Sequence, residues 1–468
     1  MAGRRLRRLA IVAGMGLGAV GLRRLARYRP AVRELVERRA EQPPALPLAL
    51  PPPLPLEIAA PEPAPVRRRR RIGGRAAASL GLVAALVAAG SYAALRRVQR
   101  SEADTPVVAP PVPGAGPTAQ WAKDENARAG TSAWRLAPGR SRGMAGFADA
   151  VSAQRGDAVS LYVSTAAAAF HVEAYRMGYY GGRGGRLVWR SPEVPGRRQD
   201  RLVVEPTTGM AEAEWSPSLT VRITDEFVPG AYLFKLVGQD GGQQYVPLAV
   251  RDDASTAAFV VEHGVSAWQA DDGRVVSFDR PYALGRGSGR FLDDELAFVA
   301  FVESLGLDVT YWTDVDRQSR PGLLARHKVL LSLGGGAEAG GLHGVKLVRF
   351  GAGPVGPVAL ASSPLGPNRR RAGAARIVDT CPADMTVLDT SSWVFSGTPL
   401  KVGDRLPGLA RVSSRGPGRV VARSSVACGG RAEMAVGAAV FDAGMSAATA
   451  VGPDAARITA NVLKAFGA

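Results

Sequence analysis

The chain has 468 residues, 46% of them hydrophobic, which excludes a wholly disordered protein and leaves room for two or three domains. Its formal net charge of +18 would by itself suggest nucleic acid or an anionic surface as partner. Residues 1–100, however, hold 20 arginines and five acidic residues, whereas the remaining 39 basic residues face 36 acidic ones. Only six of the 59 basic residues are lysine, which with heavy Ala, Gly and Pro usage reads as the output of a GC-rich genome. No nucleic-acid-binding motif accompanies the charge, so no nucleic-acid partner is expected.

The first element in chain order is residues 1–75, a basic, Pro-rich segment. Within it Leu9–Leu22 is a short apolar run with arginines at both ends, readable as a surface-lying helix or as a first membrane pass. Ala76–Leu95 follows, twenty residues without a charge, long enough as a helix to span about 30 Å of hydrocarbon. Arg67–Arg71 and Arg75 precede it, against Arg96, Arg97 and Arg100 behind, so the N-terminal side is expected in the cytoplasm and everything after residue 100 outside. The predicted localisation is the cell membrane, single-pass, or two-pass if residues 9–22 also cross. Residues 96–120 read as a Pro-rich linker. Cys381 and Cys428 both fall on the outer side, where a disulfide between them is expected.

Residues 121–252 read as short strands. AVSLYVST and FHVEAYRMG alternate in polarity, with Phe170, Val172 and Ala174 on one face and His171, Glu173 and Tyr175 on the other. GRLVWRS, SLTVRIT and the pair AYLFKLVG and QQYVPLAV follow, the pair joined by QDGG as a tight turn. The pattern predicts a β-sandwich of immunoglobulin-like size. From residue 255 to 468 strands alternate with helices: AAFVVEHG, RVVSFDR, LDVTYWTD, HKVLLSLGGG and VALASS as strands, FLDDELAFVAFVESLG and DAARITANVLKAF as helices. The helix before Gly306 is expected to start near Asp293. Such alternation predicts an α/β domain with a mostly parallel sheet and a site at the strand ends HGVSAWQADDG, TDVDR and LSLGGGAEAGG. The fold class is therefore α+β multidomain.

Few residues carry catalytic chemistry. The four histidines, His171, His263, His327 and His343, show no zinc spacing, and no GxSxG elbow occurs. GAGPVG at Gly351–Gly356 fits a dinucleotide pattern in letters only, because Pro354 and Pro357 stand where the helix should begin. Asp271, Asp272, Asp279, Asp314 and Asp316 gather near predicted strand ends, either as a hard-cation or acid/base site or as caps and partners of Arg274, Arg280 and Arg317.

Several motifs in order carry a resemblance. EAYRMGYYGGRGGRLVW, YLFKLVGQDGGQQYVPLAV, AWQA, VSFDRPY, FLDDELAFVAFVESLGLDVTYWTDVD, VFDAG and ITANVLKAF make residues 145–468 resemble the large (beta) subunit family of N,N-dimethylformamidase. The resemblance implies a β-sandwich followed by a glutamine-amidotransferase-like α/β domain. It also implies hydrolysis of dimethylformamide at iron held by two tyrosines and a glutamate, where a Lewis acid polarises the amide carbonyl. The chain departs from that pattern at the expected ligands. After Trp268, Gln269 and Ala270 come Asp271 and Asp272 instead of tyrosine and asparagine, Gly335 and Gly336 replace a His-Asp pair, and Glu338 is displaced by one position. Tyr282 is the tyrosine retained nearby. The expectation is a degenerate metal site with no cofactor and a binding or structural role toward an envelope ligand or protein partner. The alternative is an amide hydrolase with a reorganised carboxylate site, its candidates Asp271, Asp279, Tyr282, Asp314 and Glu338.

Overall fold

The computed structural model describes residues 114–468, except 140–142, 207–209, 270–275, 335, 338–341, 343, 352–360, 363–369, 373–379, 383, 407–408, 412–417 and 425–431. The apolar runs 9–22 and 76–95 and residue Cys428 of the expected disulfide lie outside the described residues. Among the described residues no helix is long and apolar enough to cross a membrane.

Helix α1 (Gln120–Asn126) comes first, a helix that the all-strand reading of 121–252 did not include. Strands β1 (Met144–Ala148), β2 (Ser152–Gln154), β3 (Ala158–Thr165), β4 (Ala169–Met177) and β5 (Gly185–Arg190) follow. After the two-residue strands β6 (Val194–Pro195), β7 (Val203–Val204) and β8 (Ala211–Glu212) come β9 (Leu219–Arg222), β10 (Gly230–Gly238) and β11 (Gln243–Arg251). One sheet has the order β1-β3-β9 and the other β2-β11-β10-β4-β5. They face each other across a shared core that includes Leu161, Phe170, Val172, Phe234, Leu236 and Val246, so the predicted sandwich forms.

The alternation in β4 holds through Ala174, after which Tyr175, Arg176 and Met177 are all buried. A second contact explains this: Tyr175, Met177, Leu233 and Tyr245 point away from the sandwich core and join the core of the following residues. A sheet covered on both faces reads as a continuous buried run, as β10 and β11 do. The glycines between β4 and β5 serve a tight reversal in which Tyr180, Gly181, Gly182 and Gly184 all take positive φ, from 45° to 85°. The run FHVEAYRMGYYGGRGGRLVWRS is thus two paired strands and a turn.

The second half contains β12 (Phe259–His263), helix α2 (Val265–Gln269), β13 (Val276–Ser277), a π-helical turn Phe291–Glu295 continuing into α3 (Leu296–Ser304), β14 (Val309–Thr313), α4 (Asp314–Ser319), β15 (Val329–Ser332) and β16 (Lys346–Arg349). A nine-stranded sheet runs β14-β12-β15-β16 and then Val440–Asp442, all parallel. The next four strands, from Glu433–Val436 to Arg405–Leu406, are antiparallel. The sheet is therefore mixed rather than mostly parallel. VKLVRF supplies its fourth strand, while Ala361–Ser362 of VALASS joins a small sheet with Arg370–Ala372 and β13, the strand described within RVVSFDR. Asp293 lies in the first turn of the π-helical segment that leads into α3, near the helix start as expected, and Gly306 ends the helix at φ +61°. The last helix, Ala456–Gly467, buries Ile458, Val462 and Leu463.

Candidate functional site

Three adjacent parallel strands end together: β12 at His263, β14 at Thr313 and β15 at Ser332. Gly264 and Gly334 bring the chain into close backbone contact there, since a Cβ built on either would lie 2.4 Å from the other's Cα. Side chains alternate about β12, so Glu262 and His263 face opposite sides of the sheet. Glu262 accepts from Ser332 Oγ at 2.8 Å and pairs closely with Arg317 Nε. At the next strand ends Arg349 Nη2 lies 2.5 Å from Asp442 Oδ2.

His263 is held by Glu295, the last residue of the π-helical turn. Its Nδ1 lies 2.6 Å from Glu295 Oε2, while Glu295 Oε1 accepts from Trp268 Nε1 at 3.0 Å and from Gly264 N at 3.2 Å. The imidazole stacks against Tyr311 and meets Phe291 edge-on. π-Helical turns recur where a side chain must be re-aimed, and this one sets Glu295 against the strand end. Neither His263 nor Glu295 was singled out in the sequence, because His263 has no second histidine at metal spacing and Glu295 is one acid in an apolar helical run.

Asp314 and Asp316 open α4. Asp316 caps it reciprocally with Thr313, the Thr313 amide and hydroxyl donating to Asp316 Oδ2 at 2.9 and 2.6 Å. Its Oδ1 accepts from Ser152 Oγ at 2.7 Å and from Arg320 Nη1 at 2.8 Å. Asp314 is buried and receives the Ser266 amide at 3.2 Å. Burial, reinforced by the nearby Glu262 carboxylate, pushes its pKa up to about 7.

Beside α4 a cleft of about 530 Å³ lies between β2, the start of β3 and the α4 segment, lined among others by Asp149, Gln154, Arg251, Asp279, Asp316 and Arg320. Of the sequence candidates, Asp279 and Asp316 share this cleft. Asp314 packs instead on α2, and Tyr282 lines a separate, much smaller cavity together with His263. Asp271, Asp272 and Glu338 lie outside the described residues. Arg317 pairs with Glu262 and also acts on the Asp314 carboxyl, whose pKa it lowers, Arg280 Nη2 donates to the Gln269 carbonyl, and Arg274 falls outside the described residues.

Among the described residues no group of three or more His, Cys, Asp or Glu side chains is placed to hold a metal ion. The donor chemistry agrees: Glu262, Glu295 and Asp316 are saturated by arginine, serine, threonine, tryptophan and histidine partners. Burial, then the Asp314 and Glu295 carboxylates, raise the Tyr282 pKa far above the usual phenol range, opposing the phenolate that would bind ferric iron. Asp271, Asp272, Gly335 and Glu338, at the positions where the resemblance places the iron site, lie outside the described residues.

The family model for "N,N-dimethylformamidase beta subunit-like, C-terminal" matches residues 171–271 and 271–335, from β4 of the sandwich to the end of β15. Residues 171–335 are thus similar to the N,N-dimethylformamidase beta subunit-like family. The matched region contains His263, Glu295, Asp279, Tyr282, Asp314 and Asp316, so the strand-end site falls within the family domain. No curated protein matches the chain. Among solved structures, a Paenibacillus sp. cycloisomaltooligosaccharide glucanotransferase complexed with cycloisomaltoheptaose is similar over 28% of this chain and 18% of that one, at 13% identity and a TM-score of 0.15. That likeness is too slight to bear on fold or function.

Proposed function

We propose that this chain is a membrane-anchored, extracytoplasmic binding module of the N,N-dimethylformamidase beta subunit-like type, with the family's metal site degenerate and a glutamine-amidotransferase-like second domain. The observation that carries the reading is the commitment of the strand-end acids. Glu262, Glu295 and Asp316 each hold protein donors that a metal or a substrate would have to displace, while a polar cleft stands open beside them. Clefts at the junction of two packed layers are common sites for small ligands. An envelope component or protein partner is the expected occupant, and no cofactor is needed. The anchor rests on the twenty-residue apolar run and its arginine asymmetry.

A second reading, amide hydrolysis by a reorganised carboxylate site, draws on Asp314, a buried acid that titrates near neutrality and so suits general acid or base work. Metal analysis of the purified full-length protein, with an amidase assay on small formamides, separates the two. The binding reading expects no stoichiometric iron and no turnover; iron at one per chain with turnover that falls on Asp314→Asn would replace it with the hydrolase.

A further inference from the structure

Beside the cleft lies a second, much smaller cavity of about 10 Å³, the room of one water-sized molecule. Val151 lines both spaces. The inner walls are largely apolar, with Leu248 and Ala249 from the sandwich and Val265, Trp268, Tyr282 and Phe291 from the strand-end side. His263 also lines this cavity. It is 2% exposed, and with Nδ1 turned to Glu295 its Nε2 finds no hydrogen-bond partner among the described residues.

We infer that this cavity is a site for one hydroxyl-sized hydrogen-bond donor held on Nε2 of His263, forming the inner end of the cleft. The inference rests on the binding reading of that cleft. The Glu295 carboxylate holds a proton on Nδ1, and in the ring that carries that proton alone Nε2 presents a lone pair. An acceptor sealed from bulk water without a donor is costly, and polar groups buried in this way are ordinarily met by an internal water or a ligand. The walls select the donor. A methyl group would leave Nε2 bare, and an ammonium would lose its hydration among aromatic rings. A neutral hydroxyl meets both conditions, supplied by water in the resting protein and by an alcohol or polyol whose remaining polar groups lie in the cleft beyond Val151.

The test is long-range proton–nitrogen NMR of full-length protein labelled with ¹⁵N-histidine, which carries four histidines; the His263 signals are assigned by their loss in His263→Gln. The expected spectrum has the proton on Nδ1 and Nε2 displaced from the position of a bare acceptor. Titration with ethylene glycol distinguishes the sources: a further saturable shift identifies an alcohol hydroxyl, and an unchanged, already displaced signal identifies water. Val151→Phe, or the milder Val151→Ile should the first not fold, is expected to abolish the glycol shift or return Nε2 toward the bare position. A bare Nε2 in both arms, or a proton on Nε2, overturns the inner site. Stoichiometric iron with formamide turnover would instead overturn the binding reading, through a different readout.

Discussion

Arg176 Nη2 and Glu303 Oε1 lie 2.6 Å apart, although 127 positions separate them and both side chains are completely buried. The contact is bidentate, with Arg176 Nη1 3.0 Å from Glu303 Oε2, and it joins β4 of the sandwich to α3 behind the nine-stranded sheet. Tyr311 donates to Glu303 Oε1 at 2.6 Å, Asn126 to Oε2 at 3.0 Å, and Tyr180 accepts from Arg176 while donating to Glu125. The Pro229 carbonyl takes the remaining guanidinium edge. Burying two charges is repaid only when their other hydrogen-bonding capacity is met, and here it is.

Removing one partner should therefore cost far more than removing both. Glu303→Leu alone strands a buried guanidinium and is expected to destabilise the protein by about 3–5 kcal/mol. Arg176→Met combined with Glu303→Leu should recover most of that loss. Chemical denaturation of the two single variants and the double variant closes the cycle; a Glu303→Leu cost below about 1 kcal/mol would contradict a fully desolvated pair.

Asp314 makes stability depend on pH. Its folded pKa of about 7 lies above the ordinary carboxylate value of 3.8, so the native state holds the proton more tightly than the unfolded chain. The stability from this group is full below about pH 4, declines as pH rises, and is lost once pH passes about 7. Asp314→Asn, which keeps an acceptor for the Ser266 amide, should raise Tm relative to wild type at pH 8 and leave little difference at pH 4. Equal Tm differences at the two pH values would show that Asp314 titrates normally.

The approach of Gly264 to Gly334 leaves no room for a side chain on either. Because the clash in Gly264→Ala is with backbone rather than with a movable side-chain tip, a cost of at least about 1–3 kcal/mol is expected. Gly322→Ala, where a Cβ would meet nothing within 4 Å, is the control and should be close to neutral. Thermal unfolding of the two variants side by side decides the point.

Thr313→Val tests whether the α4 cap shapes the cleft. Loss of the two bonds made by the Thr313 hydroxyl, with the Thr313 amide still donating to Asp316, should cost about 1 kcal/mol. Asp316 also holds Ser152 of β2, so hydrogen exchange at the Ser152 to Gln154 amides should quicken in the same variant. Unchanged exchange there would show that β2 is positioned without help from α4.

The local signals in this chain were legible wherever one residue's environment follows from its near neighbours. Alternating Phe170, Val172 and Ala174 marked a strand, Gly306 marked the end of a helix, and the glycines after Tyr180 marked a reversal. The reading faltered where pairing across the chain decides. VKLVRF and VALASS are equally apolar, yet VKLVRF lies beside β15 while Ala361–Ser362 pairs with Arg370–Ala372, and hydropathy says nothing about which strand is the neighbour. Of the strand-end aspartates, Asp316 is a cap and a tether, and Asp314 is buried against α2.

By itself the sequence determined the class of the molecule: an apolar run among arginines, a stretch of short strands, then alternating strands and helices, and the motif series that tied residues 171–335 to a family. These properties are written in periods of two and of about four residues, which any window of the chain displays. Tertiary structure alone decided that Arg176 of the YRMGYY run meets Glu303, that Glu295 holds His263 by Nδ1 and leaves Nε2 buried, and that Val151 lines both the small cavity and the open cleft. Each of these depends on the packing of distant segments and on what water can no longer reach, and neither quantity is a property of any short stretch of sequence.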